Sequence, residues 1–207
     1  MNSEGTHRTP FLEWITRPQM LVGLSALLLS LCGLFISIYE ASLIRQAQRA
    51  SVWPYVQIAA SLAPGRIKLG VQNTGVGPAR IQAASVTYKG ETKANWWDLI
   101  LNDLGANVDS VDFYRSMING RVLPLDSQKE SIFRITEDYG PAARELAESL
   151  RREILEGTID VTVCYCSVYD ECWISSLQDL LKRSRGVKPP SGSQVVDGCE
   201  AVKPSGI

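Results

Sequence analysis

Apolar residues run without a charge from Pro18 to Tyr39. A helix needs roughly 20 mainly apolar residues to cross the hydrocarbon of a bilayer, so this run predicts a transmembrane helix over residues 18–39. Trp14 and Tyr39 stand at its two ends, where aromatic side chains prefer the membrane interface. A buried core helix of this length normally keeps a polar face, which this run lacks.

The run is more typical of an uncleaved anchor than of a signal peptide. The apolar part of a signal peptide spans about 7–15 residues, and no small-x-small cleavage site directly follows this longer run. Residues 29–33 resemble a lipobox, but Leu31 occupies the position of a small residue and the apolar run continues beyond Cys32. We therefore expect a short tail over residues 1–17 and then one permanent span.

Small residues form a seam along this helix, with a 3-4-3-4 spacing that places them on one face. Its members are Gly23, Ala26, Ser30, Gly33 and Ser37. Small side chains let two helices approach closely in lipid, so the seam is compatible with a homodimer through the span. The alternative is chance, because these residues are common in membrane helices.

Beyond the span, residues 40–51 are largely good helix formers without Gly or Pro, which predicts a helical stalk. A helix over residues 19–50 would be about 48 Å long at 1.5 Å per residue. Pro54 ends the pattern and opens a soluble domain over residues 52–184, because the residue before a proline is disfavoured in a helix.

The soluble domain is predicted to be β-rich. Short alternating or β-branched runs predict seven strands, over residues 55–60, 66–72, 79–88, 121–125, 131–136, 158–168 and 172–176. Helices are expected over residues 93–104 and 141–156, the second with Pro at its start and Gly after its end. The fold class is therefore α+β: one N-terminal transmembrane helix, its stalk, and a sandwich-like domain with helical insertions. Residues 185–207 have little apolar content and are expected to form a disordered tail.

Composition excludes several classes of function. The net charge of -1 argues against a nucleic-acid binder, which normally carries a basic excess. The single histidine, His7, precedes the span, so histidine-based triads and histidine metal sites are excluded from the soluble domain. The acidic pairs fall in predicted loops and form no catalytic set. We therefore assign no catalytic residue and no cofactor.

The stretch Asn73-Thr-Gly-Val-Gly-Pro78 has the glycines of a phosphate loop but not the rest of the motif. No Gly-Lys-Ser/Thr sequence follows, and Arg80 breaks the dinucleotide pattern. Glycines here are better explained as a tight connection between two strands.

Cysteines are the most specific chemical feature. Cys164 and Cys166 lie on one face of a predicted strand, and a hairpin near residues 169–170 would set Cys166 opposite Cys172. Cys199 is also able to reach Cys164 from the tail. Structural disulfides, which require an oxidising compartment, and buried free thiols explain the pattern about equally well. A zinc site fits poorly, because C-x-C-x5-C is not the usual ligand spacing.

The order of these features resembles a group of uncharacterised bacterial single-span membrane proteins. The resemblance rests on the lone span, on Asn73-x-Gly-x-Gly-Pro-Ala79 and on Tyr165-Cys-Ser-x-Tyr-Asp-x-Cys-Trp173. It implies a bacterial inner-membrane location and brings no activity, cofactor or catalytic residue.

Two hypotheses of function follow from the sequence. The first is a non-catalytic single-pass membrane protein whose domain binds a protein partner or supports a membrane assembly. The second is a membrane-tethered enzyme or thiol-redox protein that uses Cys164, Cys166 and Cys172. Two arginines flank the span on each side, so the positive-inside rule gives no orientation. The paired cysteines favour a periplasmic domain over a cytoplasmic one.

Overall fold

A computed structural model of the chain describes residues 18–106, 111–186 and 194–207. The chain divides into two compact units, Met1–Gln48 and Arg49–Ile207, and each is considered by itself. The predicted interface residue Trp14 lies outside the described residues. The architecture is α+β: a long apolar helix near the N-terminus and two β-sheets.

Helix α1, Pro18–Ser51, joins the predicted span and stalk in one continuous element. It is long and apolar enough to be a candidate membrane span, and none of its residues is buried. Tyr39 is 65% exposed. Two seam hydroxyls bond to their own helix: Ser30 Oγ donates to the Ala26 carbonyl at 2.9 Å and Ser37 Oγ to the Gly33 carbonyl at 2.9 Å. Such bonds satisfy a hydroxyl where no water is present.

The strands of the second unit are antiparallel and form two sheets. The first sheet has the order β1-β2-β7-β5, with strands Val56–Ala63, Arg66–Asn73, Glu130–Thr136 and Tyr114–Arg115 in that order. The second has the order β10-β9-β8-β3-β4, and β6 also pairs with β3. Its strands are β3 Ala79–Tyr88, β4 Glu91–Lys93, β6 Val122–Leu123, β8 Ile159–Cys166, β9 Cys172–Ser176 and β10 Gln194–Val196.

Five further helical segments lie among the described residues and connect these strands. They are α2 Trp96–Asp98 with a π-helical turn Leu99–Asp103, a 3-10 turn Glu137–Tyr139, α3 Pro141–Glu156 and α4 Leu177–Ser184. Helix α3 has the predicted bounds, because Pro141 fits its first turn and Gly157, at φ 87°, closes it. Its apolar stripe is buried in the main core with side chains of both sheets. Helix α4 was not predicted, although Ser176 caps its first amides.

The structure corrects the prediction of a disordered tail for residues 194–207. Strand β10 pairs with β9, and Val202, Ser205 and Ile207 are buried. Few apolar residues are needed there, because backbone hydrogen bonds and a disulfide hold the segment: the Ser205 amide donates to the Ala84 carbonyl at 2.8 Å. Amino-acid composition alone does not predict such contacts.

Candidate functional site

The hairpin β8–β9 brings the cysteines together. Alternation along β8 turns Val163 and Tyr165 into the main core and leaves Cys164 in a smaller cluster on the other side of the sheet. Cys166 stands opposite Cys172 in the β8–β9 register, and a disulfide joins the two across Cα atoms 4.0 Å apart. This is the pair that the hairpin spacing predicted.

A second disulfide fastens the C-terminal segment to the sheet. It joins Cys164 of β8 to Cys199, with Cα atoms 5.6 Å apart and a sequence separation of 35. Ala83 and Val202 pack around it in the small apolar cluster. Because a disulfide that closes a long loop removes much chain entropy from the unfolded state, this bridge is the stronger of the two constraints.

The two disulfides touch each other. Cys166 Sγ lies 3.9 Å from Cys199 Sγ, and the sulfurs of Cys166, Cys172 and Cys199 all lie within 4.8 Å of one another. Cys166 is 3% exposed and Cys172 is 5% exposed. Reactive cysteines are normally low in pKa and accessible, whereas these sulfurs are bonded in pairs and Cys166 and Cys172 are buried. The arrangement is therefore that of a structural cystine cluster.

The glycine-rich connection between β2 and β3 is organised by Asn73, which is fully buried. Its Oδ1 accepts from the amides of Tyr55 at 3.2 Å and Gly75 at 3.1 Å. Its Nδ2 donates to the carbonyls of Gly77 at 2.8 Å, Leu123 at 3.2 Å and Pro124 at 3.1 Å. Asn73 therefore links three backbone segments. This structural role explains the asparagine of the motif, and no phosphate ligand is needed to explain it.

The glycines of this connection allow a close backbone approach. The amide of Val76 donates to the Trp53 carbonyl at 2.9 Å. A Cβ on Gly75 would lie 2.3 Å from the Tyr55 nitrogen, and one on Gly77 would lie 1.9 Å from the Val52 carbonyl oxygen. Only glycine fits at these two positions, so the loop and residues 52–55 form one rigid unit.

That rigid unit presents an exposed apolar surface, here called the apolar corner: Trp53, Tyr55, Thr74, Gly75 and Val76. Trp53 is 50% exposed and Val76 is 57% exposed. The corner surrounds a depression of about 380 Å³. The Trp53 ring lies 6.3 Å from that of Tyr55 and 6.4 Å from that of Trp173, so its position is fixed by other aromatic side chains.

Asp160 of β8 is a partly buried carboxylate. Ser176 Oγ donates to it at 2.8 Å and the Gln178 amide at 3.0 Å, so it supports the start of helix α4. Burial raises its pKa above the ordinary value, and the two hydrogen bonds oppose this shift. Its partners belong to the fold, and we assign it a structural role.

Of the residues singled out from the sequence, Cys166 and Cys172 meet in the cystine cluster, while Tyr39 and the small-residue seam belong to α1. Sequence reasoning missed the apolar corner. The one sequence feature that hinted at this surface was Val76, an apolar residue inside a glycine-rich turn. No protein-family model, no curated protein and no solved structure matches the chain.

Proposed function

We propose that this protein is a single-pass protein of a bacterial inner membrane, anchored by residues 18–39. Its β-rich, sandwich-like domain lies on the periplasmic side and binds a protein partner without catalysing a reaction. Pairing of two copies through the small-residue seam of α1 stays a prediction. No cofactor and no nucleic acid belong to this proposal.

The two disulfides support the periplasmic side. Disulfides persist in oxidising compartments such as the periplasm, whereas the cytosol keeps thiols reduced. The Cys166–Cys172 bond lies within the β8–β9 hairpin, and the Cys164–Cys199 bond joins β8 to the C-terminal segment. A domain that relies on them for its C-terminal segment fits an oxidising environment.

The observation that carries the binding role is the apolar corner. Exposed aromatic side chains that are already fixed in place lose little conformational entropy on binding, and tryptophan and tyrosine are enriched among the residues that dominate interfaces. Trp53 and Val76 combine high exposure with a backbone that the glycine contacts hold rigid. Such a surface favours a preformed binding site over a catalytic one.

Site-specific crosslinking in intact cells tests this role. We expect a photoreactive residue at Val76 to give one discrete adduct with another protein, which Trp53→Ala abolishes. A photoreactive residue at Val122 is the matched control, because its exposure of 58% is close to the 57% of Val76. Equal adducts from both positions, or none from Val76, would contradict a partner site at the corner.

A thiol-redox protein is the second candidate, favoured by the 3.9 Å separation of Cys166 Sγ and Cys199 Sγ. Sulfur atoms this close are positioned for disulfide exchange once a thiolate forms. Serine at Cys166 and Cys172 together tests it. Loss of the biological role with the fold and the Val76 adduct intact would support redox chemistry, and an intact role would exclude it.

A further inference from the structure

Three cationic side chains converge on the outer face of the first sheet. Arg66 and Lys68 alternate with core residues along β2, so their side chains point away from the core. Arg134 of β7 is the register partner of Lys68. All three line one open depression of about 400 Å³, together with Thr136, Asp138 and Tyr139.

This arrangement is unfavourable as it stands. Like charges directly opposite each other in an antiparallel pair are only about 5 Å apart at Cβ and destabilise the sheet. Among the described residues, no carboxylate oxygen lies within 4.0 Å of a charged nitrogen of Arg66, Lys68 or Arg134.

The nearest acidic residues along the chain do not neutralise the cluster. Glu137 faces Arg144, with 3.8 Å between Oε2 and Nη1. Asp138 lines the depression, which leaves three positive charges against one negative charge there. Residues 52–184 contain 14 Lys and Arg against 17 Asp and Glu, so the cluster departs from the charge of its own domain.

Arg134 is held in place but incompletely satisfied. Its guanidinium carbon lies 5.2 Å from the centre of the Tyr114 ring, which orients the side chain. Its Nε is shielded from solvent and has no hydrogen-bond partner in the described part of the chain. A shielded donor of a charged group without an acceptor is unfavourable, which adds to the electrostatic cost of the cluster as it stands.

We propose that this face is a binding site for a dianionic oxyanion of the phosphate class. A guanidinium matches two phosphate oxygens with its fork of donors, and lysine adds a point charge. The hydroxyls of Thr136 and Tyr139 add neutral donors at the rim. A dianion balances the two uncompensated positive charges that remain after Asp138, and it separates Lys68 from Arg134.

The dianionic phosphate group has two sources, a free phosphate compound or the phosphomonoester headgroup of a lipid such as phosphatidic acid. The first assay uses the full chain in phosphatidylcholine nanodiscs and follows thermal unfolding with inorganic phosphate, against sodium chloride at the same ionic strength. We expect phosphate to raise the Tm, because a ligand of the folded state stabilises it. The half-saturating phosphate concentration should rise at least tenfold in a Lys68→Ala, Arg134→Ala double variant.

The matched control removes one arginine and one lysine elsewhere, Arg152→Ala and Lys182→Ala, both exposed. It should keep the phosphate response within twofold of the wild type. Without phosphate, the Lys68→Ala, Arg134→Ala variant should melt no lower than this control, because it loses a like-charge contact. An absent response in the wild type, or equal responses in the two double variants, would overturn the proposal.

A second arm identifies the source. Nanodiscs that contain phosphatidic acid, a phosphomonoester lipid, in place of half of the phosphatidylcholine are compared in the same titration. A lipid headgroup that occupies the site raises the Tm before phosphate is added and weakens the phosphate response. An unchanged phosphate response assigns the site to a free phosphate compound.

Discussion

Replacement of Asn73 by alanine is the sharpest test of how the domain is held together. Its side chain is fully buried and bonds to five backbone groups. Alanine would leave the amides of Tyr55 and Gly75 without their acceptor. It would also leave the carbonyls of Gly77, Leu123 and Pro124 without their donor.

The magnitude follows from the two buried bonds alone, those from Nδ2 to the carbonyls of Gly77 and Leu123. An unsatisfied buried polar group costs about 1–3 kcal/mol, so two of them lower the free energy of unfolding by about 4 kcal/mol. For a domain of this size, 1 kcal/mol shifts Tm by about 2–4 °C, which gives a decrease on the order of 10 °C. The amides of Tyr55 and Gly75 and the Pro124 carbonyl are only part-buried, so water that replaces Asn73 there keeps their contribution small.

Thermal unfolding of the full chain in detergent, followed by tryptophan fluorescence under non-reducing conditions, measures the effect. Asn102→Ala is the matched control, because Asn102 Nδ2 bonds to Asp98 Oδ1 at 2.7 Å on the exposed surface. We expect the control to change stability by less than about 0.5 kcal/mol. Asn73→Asp keeps the shape but cannot donate to the three carbonyls, and it should also destabilise. Equal melting of Asn73→Ala and Asn102→Ala would refute the reasoning.

Three further predictions concern other parts of the same domain. Serine at Cys164 and Cys199 should lower the free energy of unfolding in urea by about 4 kcal/mol, because the bond closes a 35-residue loop; an unchanged midpoint would contradict this. Gly77→Ala should melt well below Gly198→Ala, since an added Cβ meets backbone at the first position and open space at the second; equal Tm values would argue against the close approach. Urea unfolding at several pH values should show Asp160→Asn becoming more stable relative to the wild type as pH rises above about 3.8. Burial raises the folded-state pKa of Asp160, so its neutral form contributes stability that the wild type loses as pH rises through this folded-state pKa. A stability difference between the two proteins that does not change with pH would contradict this.

Local sequence patterns predicted those helices and strands whose end residues and apolar positions lie close together in the sequence. The bounds of α3 follow from Pro141, Gly157 and one apolar stripe, and β3 follows from a single β-branched run. The expected helix over residues 93–104 became a short α2 and a π-helical turn, because its two tryptophans pack against different phenylalanines: Trp96 on Phe133 and Trp97 on Phe113. Tertiary contacts overrode local helix propensity there.

Contacts between distant segments were beyond the reach of these patterns. The hairpin spacing pointed to Cys166 and Cys172, because only a short turn separates them. Lys68 pairs with Arg134 in a β2–β7 register that contains a bulge at Leu69 and Gly70. No local sequence motif predicts this bulge. The hydrogen bonds of Asn73 likewise depend on Leu123, at the end of β6, and Pro124 lying beside the end of β2. The sequence motif therefore predicted a turn but not the contacts that its asparagine makes.

Thiol labelling with a membrane-impermeant maleimide tests the central claim, a disulfide-bonded domain on the periplasmic side. Spheroplasts of cells that express the protein are labelled before and after treatment with a thiol reductant that leaves the membrane intact, with Cys32 replaced by serine to remove the free thiol in α1. We predict that Cys164, Cys166, Cys172 and Cys199 label in intact spheroplasts only after reduction. Labelling only after lysis, and without any reductant, would place free thiols in the cytoplasm and contradict the account.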